Sequence, residues 1–240
     1  VESSYPVTNI RYGPTAQEVV VEIRDPEEHI QKHWLAGCFY ESRGGGLLPY
    51  IRHLNALAGP FRVCYDIGAS IGNHTLFMSQ ILGANYVLAI EPYLPSYDHL
   101  VSNLAHNHVS KDRVWTLNMA LSDEQVWGDA ELYGQESGNN VGMVHFTKSQ
   151  FGSPVYCDTL DTMVSKYGCP LPDYVKIDVE HMEEQVVAGM LNTIRACSPI
   201  LSIELERGTE VMDSILSPLG YRRDPVVLNH TPTYVYKPDK

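Results

Sequence analysis

Short apolar runs alternate with helix-length amphipathic stretches from residue 62 onward. Residues 63–67, 86–90, 114–118, 174–179 and 200–204 are rich in Val, Ile, Leu and Tyr and are bounded by polar or glycine-containing segments. Runs of this length and composition predict strands buried on both faces. Between and after them, residues 73–82, 95–107, 183–194 and 210–216 predict helices, with Pro95 suited to a first helical turn. Two further short strands, 226–228 and 233–236, are joined by Asn229-His230-Thr231-Pro232 and predict an antiparallel hairpin. Such alternation builds a mostly parallel sheet with helices on both faces.

Upstream the pattern changes. Residues 29–35 mix polar and apolar positions in a short helical pattern, and Gly44-Gly45-Gly46 reads as a loop. Residues 47–58 place Leu47, Ile51, Leu54 and Leu57 on one predicted helical face that stops at Gly59-Pro60. The chain therefore divides into an N-terminal helical extension, residues 1–60, packed on a cofactor-binding α/β domain, residues 61–240. Residues 122–157 read as short strands and turns rich in Gly, Ser and Asn.

Where chemistry is concerned, the strongest signal is Asp66-Ile67-Gly68-Ala69-Ser70-Ile71-Gly72-Asn73-His74-Thr75, an acid delivered by a strand into a glycine-punctuated turn and then a helix. Gly68, Ala69 and Gly72 allow close backbone approach to a ligand. A dinucleotide loop is written G-x-G-x-x-G and sets a helix N-terminus against pyrophosphate, whereas Asp66 would repel phosphate. It would attract a cation, and S-adenosylmethionine carries both an ammonium and a sulfonium. Glu91 ends the next apolar run, where an open α/β sheet places an acid beside a ribose.

Composition narrows the partners. The chain has 240 residues and a formal net charge of −12, which disfavours broad binding to nucleic acid or to an anionic membrane. No apolar run reaches the length of a bilayer span, and the start Val1-Glu2-Ser3-Ser4 lacks the charged and apolar regions of a signal peptide. Five scattered cysteines without a C-x-x-C pair read as reduced core thiols, so a cytoplasmic setting is expected. Oligomeric state is not legible.

Four segments together resemble a known family. Asp66 to Thr75, Glu91-Pro92 followed by Leu100 and Asn103, Asn118-Met119-Ala120-Leu121-Ser122-Asp123, and Lys176-Ile177-Asp178-Val179-Glu180 through Glu183 resemble the motifs of FkbM-type methyltransferases in their usual order. The resemblance covers roughly residues 36–223. It implies a class I methyltransferase fold, Rossmann-like, with a seven-stranded sheet whose last strand is antiparallel. It also implies S-adenosylmethionine as cofactor and O-methylation of a hydroxyl on a sugar, glycan or natural product. One departure stands out: the family often carries a glycine after D-V-E, and here that position is His181.

On this reading Asp66, Gly68, Ala69 and Gly72 form the loop near the methionine moiety, Asn73 and His74 open the next helix, Glu91 holds the ribose, and Asn118 to Ala120 border the adenine. Asn139 and Asn140, before Gly142, are candidates for the acceptor side. Methyl transfer from a sulfonium is an in-line displacement, so the acceptor oxygen must be held and helped to lose its proton. Asp178 and Glu180 lie at the carboxyl end of a predicted central strand, where ligands of open sheets bind. Asp178 is placed near the reacting centre and Glu180 as base or substrate clamp, with His181 as the rival base. Lys176 is read as packing its stem and exposing its amine.

No metal site is assigned. His29 and His33 could share a helical face but lack an identifiable third ligand, His106 and His108 would diverge on a helix, and Asp178 and Glu180 with a neighbouring His could bind a divalent ion but give no complete ligand set by spacing alone. A nucleotide-cofactor oxidoreductase and a noncatalytic module retaining the cofactor fold are the alternatives, separated from a methyltransferase by cofactor preference and by methyl turnover.

Overall fold

The computed structural model describes residues 4–12, 17–43, 45–132, 144–147 and 154–239. The N-terminal part is mixed rather than helical: β1 (Val7–Tyr12) and β2 (Gln17–Glu22) pair as an antiparallel hairpin before α1 (His29–Leu35) and α2 (Leu47–Ala58). The expected helical extension is thus corrected. Ile10, Val19 and Val21 are fully buried, a period-two pattern that fits a half-covered sheet. On α2 the buried positions are Leu47, Leu48, Ile51 and Leu54, while Leu57, expected on that face, is 70% exposed.

The expected cofactor strand forms as β3 (Val63–Ile67) and leads into α3 (Asn73–Leu76), which continues as one π-helical turn, Phe77–Ile81. Next come β4 (Tyr86–Ile90), α4 (Leu94–His106), β5 (Val114–Leu117) and β6 (Ala120–Leu121). β6 joins β7 (Val126–Leu132), β8 (Val144–Thr147) and β9 (Pro154–Asp158) in a small four-stranded sheet. The chain then runs through α5 (Leu160–Tyr167), β10 (Tyr174–Ile177), α6 (Glu183–Ala188), α7 (Leu191–Cys197), β11 (Ile200–Glu204), α8 (Glu210–Leu216), β12 (Tyr221–Leu228) and β13 (Thr233–Pro238). The helix expected over 183–194 breaks because Met190, at φ −126° and ψ 15°, leaves the helical region.

The main sheet has the order β12-β13-β11-β10-β3-β4-β5. Neighbours among β11, β10, β3, β4 and β5 are parallel, and β13 runs antiparallel to both β11 and β12. The sheet is therefore mostly parallel. From β3 the chain proceeds outward through β4 and β5, then returns to place β10 and β11 on the other side. The point where direction reverses, between β3 and β10, opens a crevice at the carboxyl ends of the strands.

Both faces of the sheet are covered. Cys64, Val87, Ala89 and Tyr174 pack into one cluster with Trp34, Phe39 and Leu48 from the N-terminal part and Phe77 beyond β3. Tyr65, Leu88, Val175 and Leu201 pack on the opposite face with Leu160, Val186, Ile194 and Met212. The N-terminal segment thus helps to close one face of the core, and polar contacts tie it down: Asn103 Oδ1 accepts from Glu22 N at 2.8 Å and His99 Nε2 lies 2.8 Å from Glu22 O. No helix among the described residues is long and apolar enough to cross a membrane.

Candidate active site

At the switch point the β3 loop is held by backbone geometry. Gly68 and Ala69 donate to Ile90 O, each at 3.0 Å, and Asp178 N donates to Ile67 O at 3.0 Å. Gly68 has φ 79°, and a Cβ there would lie 1.7 Å from the carbonyl oxygen of Asp178. Only glycine fits that approach. At Gly72, φ 97°, a Cβ would come 2.8 Å from a methyl carbon of Leu100, so the second glycine lets α4 pack against the loop.

Glu91 is 4% exposed. Its carboxylate accepts from Ser70 N and from Tyr93 N, each at 2.8 Å, which ties the end of β4 to the β3 loop. Burial pushes its carboxyl up to about 7, against the lowering effect of the two backbone donors. Asn118 does not border the cavity; its side-chain amide donates to Glu91 O at 2.9 Å and Pro92 O at 3.0 Å and so braces the Glu91 turn. Met119, Ala120 and Leu121 supply the apolar wall beside it.

Asp66 is fully buried behind the loop. One oxygen accepts from Thr75 Oγ1 at 2.6 Å, and the other has no hydrogen-bond partner and faces Lys176 Nζ at 3.7 Å. Contrary to expectation, the Lys176 amine is covered: the side chain is 5% exposed, and Nζ donates to Asp178 Oδ2 at 2.9 Å and Gly68 O at 3.3 Å. Burial lowers the ammonium's affinity for its proton, but Asp178 and Asp66 outweigh it and hold it above the ordinary lysine value. Lys176 therefore locks together the β3 loop, Asp66 and the end of β10.

Asn73 and His74 open α3 as expected and border the cavity, and their side chains also contact the N-terminal segment. Asn73 Oδ1 accepts from Trp34 Nε1 at 3.2 Å and from Tyr40 N at 3.0 Å, and its amide donates to Tyr40 O at 3.3 Å. His74 Nε2 lies 2.9 Å from Glu41 Oε2, the two side chains being 8% and 7% exposed. These contacts bring Tyr40 and Glu41, absent from the sequence reading, to the rim of the same cavity.

That cavity has a volume of about 230 Å³. Gly68, Ser70, Glu91 and Met119 border it, as do Asp178, Glu180, Glu204 and Glu206, with Tyr40 and Glu41. Glu180 is pushed up to about 8 by burial and by the neighbouring carboxylates of Asp178, Glu206 and Glu183. Glu204 is pushed up to about 9 by burial and by Asp178. Glu204, Glu206 and Thr231 come from later elements and were missed, because no local motif marks residues that reach a site from β11 and the turn before β13.

His181 does not border this cavity; it lines a smaller depression beyond Glu180, with its Nε2 3.9 Å from Glu206. Its φ is 76°, and that of Glu180 is 51°. The glycine common at position 181 in the resembling family suits this left-handed backbone, and histidine occupies it here at a cost. Asn139 and Asn140 fall outside the described residues. Among the described residues no group of three or more His, Cys, Asp and Glu side chains could hold a metal ion.

The parallel sheet, the glycine loop after β3 and the acid closing β4 define a methyltransferase-like α/β fold. Solved structures agree at the level of fold: a methyltransferase FkbM from Methylobacillus flagellatus KT superposes with a TM-score of 0.54 at 18% identity, covering 73% of this chain and 43% of that one. The METTL16 methyltransferase domain superposes with a TM-score of 0.50 at 14% identity, covering 81% of this chain and 68% of that one. Residues 66–223 match the methyltransferase FkbM domain, and the chain belongs to that family. Among curated proteins, the hexuronic acid methyltransferase AglP of Haloferax volcanii is 27% identical over 151 residues. The match covers 63% of this chain and 59% of that protein. S-adenosylmethionine is the methyl donor that family and fold imply.

Proposed function

We propose that this chain is an S-adenosylmethionine-dependent O-methyltransferase acting on a hydroxyl of a sugar, glycan or natural product. The observation that carries the reading is one cavity bordered both by the glycine loop with its buried acid, Glu91, and by a carboxylate pair, Asp178 and Glu180. The residues present fit the cofactor. Ser70 Oγ is buried on the cavity wall without a hydrogen-bond partner, and Glu91 retains lone pairs beyond the two used by backbone donors. Gly68, Ala69, Ser70 and Glu91 would hold the cofactor, with Met119 to Leu121 along its apolar part and Asp66 supporting the loop from behind. When bound, the cofactor supplies an electrophilic methyl carbon.

The chain's own groups supply the rest. Asp178, fixed by Lys176, orients the acceptor hydroxyl. Glu180 accepts its proton; a carboxyl pushed up to about 8 is a stronger base than an ordinary carboxylate. His181, off the cavity, is not assigned to the chemical step. Residues 1–60 contribute Tyr40 and Glu41 to the acceptor side of domain 61–240, and Asn139 and Asn140 are retained as acceptor-side candidates. The sugar acceptor in the name of the AglP relative supports the hydroxylated acceptor class.

The test is incubation with methyl-labelled S-adenosylmethionine and a panel of glycans and small alcohols, followed by mass spectrometry of the products. A labelled methyl on oxygen is expected. A methyl found only on nitrogen or carbon overturns the reading, as does turnover with a nicotinamide cofactor in place of methyl transfer.

A further inference from the structure

Tyr40 lies outside residues 66–223, which match the FkbM domain, yet it borders the cavity. Its backbone is clamped to the first residue of α3: Asn73 Oδ1 accepts from Tyr40 N at 3.0 Å, and the Asn73 amide donates to Tyr40 O at 3.3 Å. The rings of His29 and His33 meet its ring at 86° and 71°, with centroids 5.0 and 5.2 Å away. A side chain gripped at both backbone and ring has little freedom left to lose when it meets a ligand.

The hydroxyl at the tip of that ring is uncommitted. Among the described residues it makes no hydrogen bond, and it is not sealed from solvent. The charges that act on it, Glu41, Glu204, Asp178 and Lys176, all border the cavity, which puts the hydroxyl on the cavity wall. Burial and the three carboxylates push it up to about 12 against the opposing effect of Lys176, so it keeps its proton at neutral pH and serves as a donor rather than a base. Other donors on the wall are engaged: Lys176 gives to Asp178 and Gly68 O, and the Asn73 amide gives to Tyr40 O. Ser70 Oγ has no partner but belongs to the cofactor loop. A hydroxylated acceptor brings lone pairs as well as protons, and carboxylates such as Asp178 and Glu180 can take only the protons.

We infer that the Tyr40 hydroxyl donates to an acceptor oxygen next to the one that is methylated, so that the site selects a molecule with two neighbouring hydroxyls and fixes which of them faces the methyl donor. This rests on the O-methyltransferase reading and narrows it. Asp178, which that reading places at the acceptor hydroxyl, acts directly on the Tyr40 hydroxyl, and this ties the donor to the acceptor rather than to the cofactor loop. The N-terminal segment then sets specificity for chemistry carried by the α/β domain.

The experiment compares the full chain with Tyr40→Phe, which keeps the ring between the two histidines and removes only the oxygen. Each protein is saturated with S-adenosylhomocysteine. The probes are the methyl glycosides of glucose, galactose and mannose, each as the parent sugar and in its singly deoxygenated forms, with affinities read by saturation-transfer NMR and calorimetry. At least one parent sugar is expected to bind Tyr40→Phe about 3- to 10-fold more weakly, the reach of one neutral hydrogen bond. One deoxygenated form of that sugar, the one lacking the partner oxygen, is expected to bind both proteins alike. Affinity for S-adenosylhomocysteine and the urea midpoint should not change, since the hydroxyl bonds nothing within the chain. The inference is overturned if no parent sugar loses about three-fold, absence of binding included, or if every deoxygenated form shows the same loss as its parent. It is overturned as well if Tyr40→Phe weakens S-adenosylhomocysteine instead, which assigns the hydroxyl to the cofactor, or lowers the urea midpoint, which assigns it to the fold. Methyl transfer from labelled donor is scored separately. A Tyr40-dependent sugar preference without O-methyl product contradicts the functional reading alone, and O-methylation without that preference contradicts this inference alone.

Discussion

Replacing Lys176 by Met keeps the apolar stem and removes the ammonium that sits between two carboxylates. Lys176 Nζ is 2.9 Å from Asp178 and 3.7 Å from Asp66, and Asp66 is fully buried with one oxygen lacking any hydrogen-bond donor. Without the ammonium, Asp66 becomes an uncompensated buried charge. Breaking a buried pair from one side costs about 3–5 kcal/mol, whereas a well-packed apolar replacement of the whole pair is close to neutral. Lys176→Met is therefore expected to lose about 3–5 kcal/mol in urea unfolding at pH 8, and Lys176→Met with Asp66→Asn to recover most of it. Lys176 keeps its proton above the ordinary lysine value. Its contribution is thus fully present below about pH 10.4 and is lost only as pH rises through the higher folded value, so the penalty should be constant from pH 6 to 9. A loss under about 1 kcal/mol, or a double variant as unstable as the single, refutes the proposed lock.

Four further outcomes are expected. Gly68→Ala should destabilise the fold and abolish cofactor binding, since its Cβ would meet the Asp178 carbonyl at 1.7 Å; unchanged calorimetric affinity would contradict the close-approach argument. Glu180→Gln should lower single-turnover methyl transfer by about 10²–10⁴-fold at unchanged cofactor affinity, and the wild-type rate should rise with pH through about 8. His181→Gly should relieve the φ 76° backbone, stabilising the chain by about 1 kcal/mol without loss of turnover; a rate loss matching that of Glu180→Gln would make His181 the base instead. Burial holds protons on Glu91, Glu180 and Glu204 up to about 7, 8 and 9, while the unfolded chain releases them near 4.5. The folded state then binds more protons between those values, so ligand-free stability should fall as pH rises from 5 to 9, and a rising urea midpoint would contradict it.

The β3 loop was legible because its chemistry is local: an acid, two glycines and a helix start lie within ten residues, and Gly68 and Gly72 carry the positive φ values such a turn needs. Glu91 was legible from its place after the next strand, but its two backbone donors were not, and they make it a structural tie of the loop as well as a ribose candidate. Lys176 was misread because alternation along a strand gives a face but not what covers it. Asn118 shows the same limit, since it was expected at the cofactor and instead braces the backbone of Glu91 and Pro92, while Asn73 borders the cavity and also braces the backbone of Tyr40. The N-terminal hairpin was missed although Val19-Val20-Val21 is a β-branched run, the strand signal that the helical reading of residues 1–60 overlooked. Glu204 and Thr231 reach the cavity only through the order of β10, β11 and β13 in the sheet, which sequence spacing does not encode.

The central claim is that the cavity at the β3–β10 switch point is a sulfur-cofactor site closed by Glu91. Calorimetry of the purified chain with S-adenosylhomocysteine, with NAD as the comparison and Glu91→Gln as the variant, tests it most directly. Saturable binding of S-adenosylhomocysteine, far weaker binding of NAD, and a loss of about 10- to 150-fold in Glu91→Gln, corresponding to about 1.5–3 kcal/mol for a charge-assisted contact, are the expected results. Tight NAD binding with no response to S-adenosylhomocysteine would contradict the account.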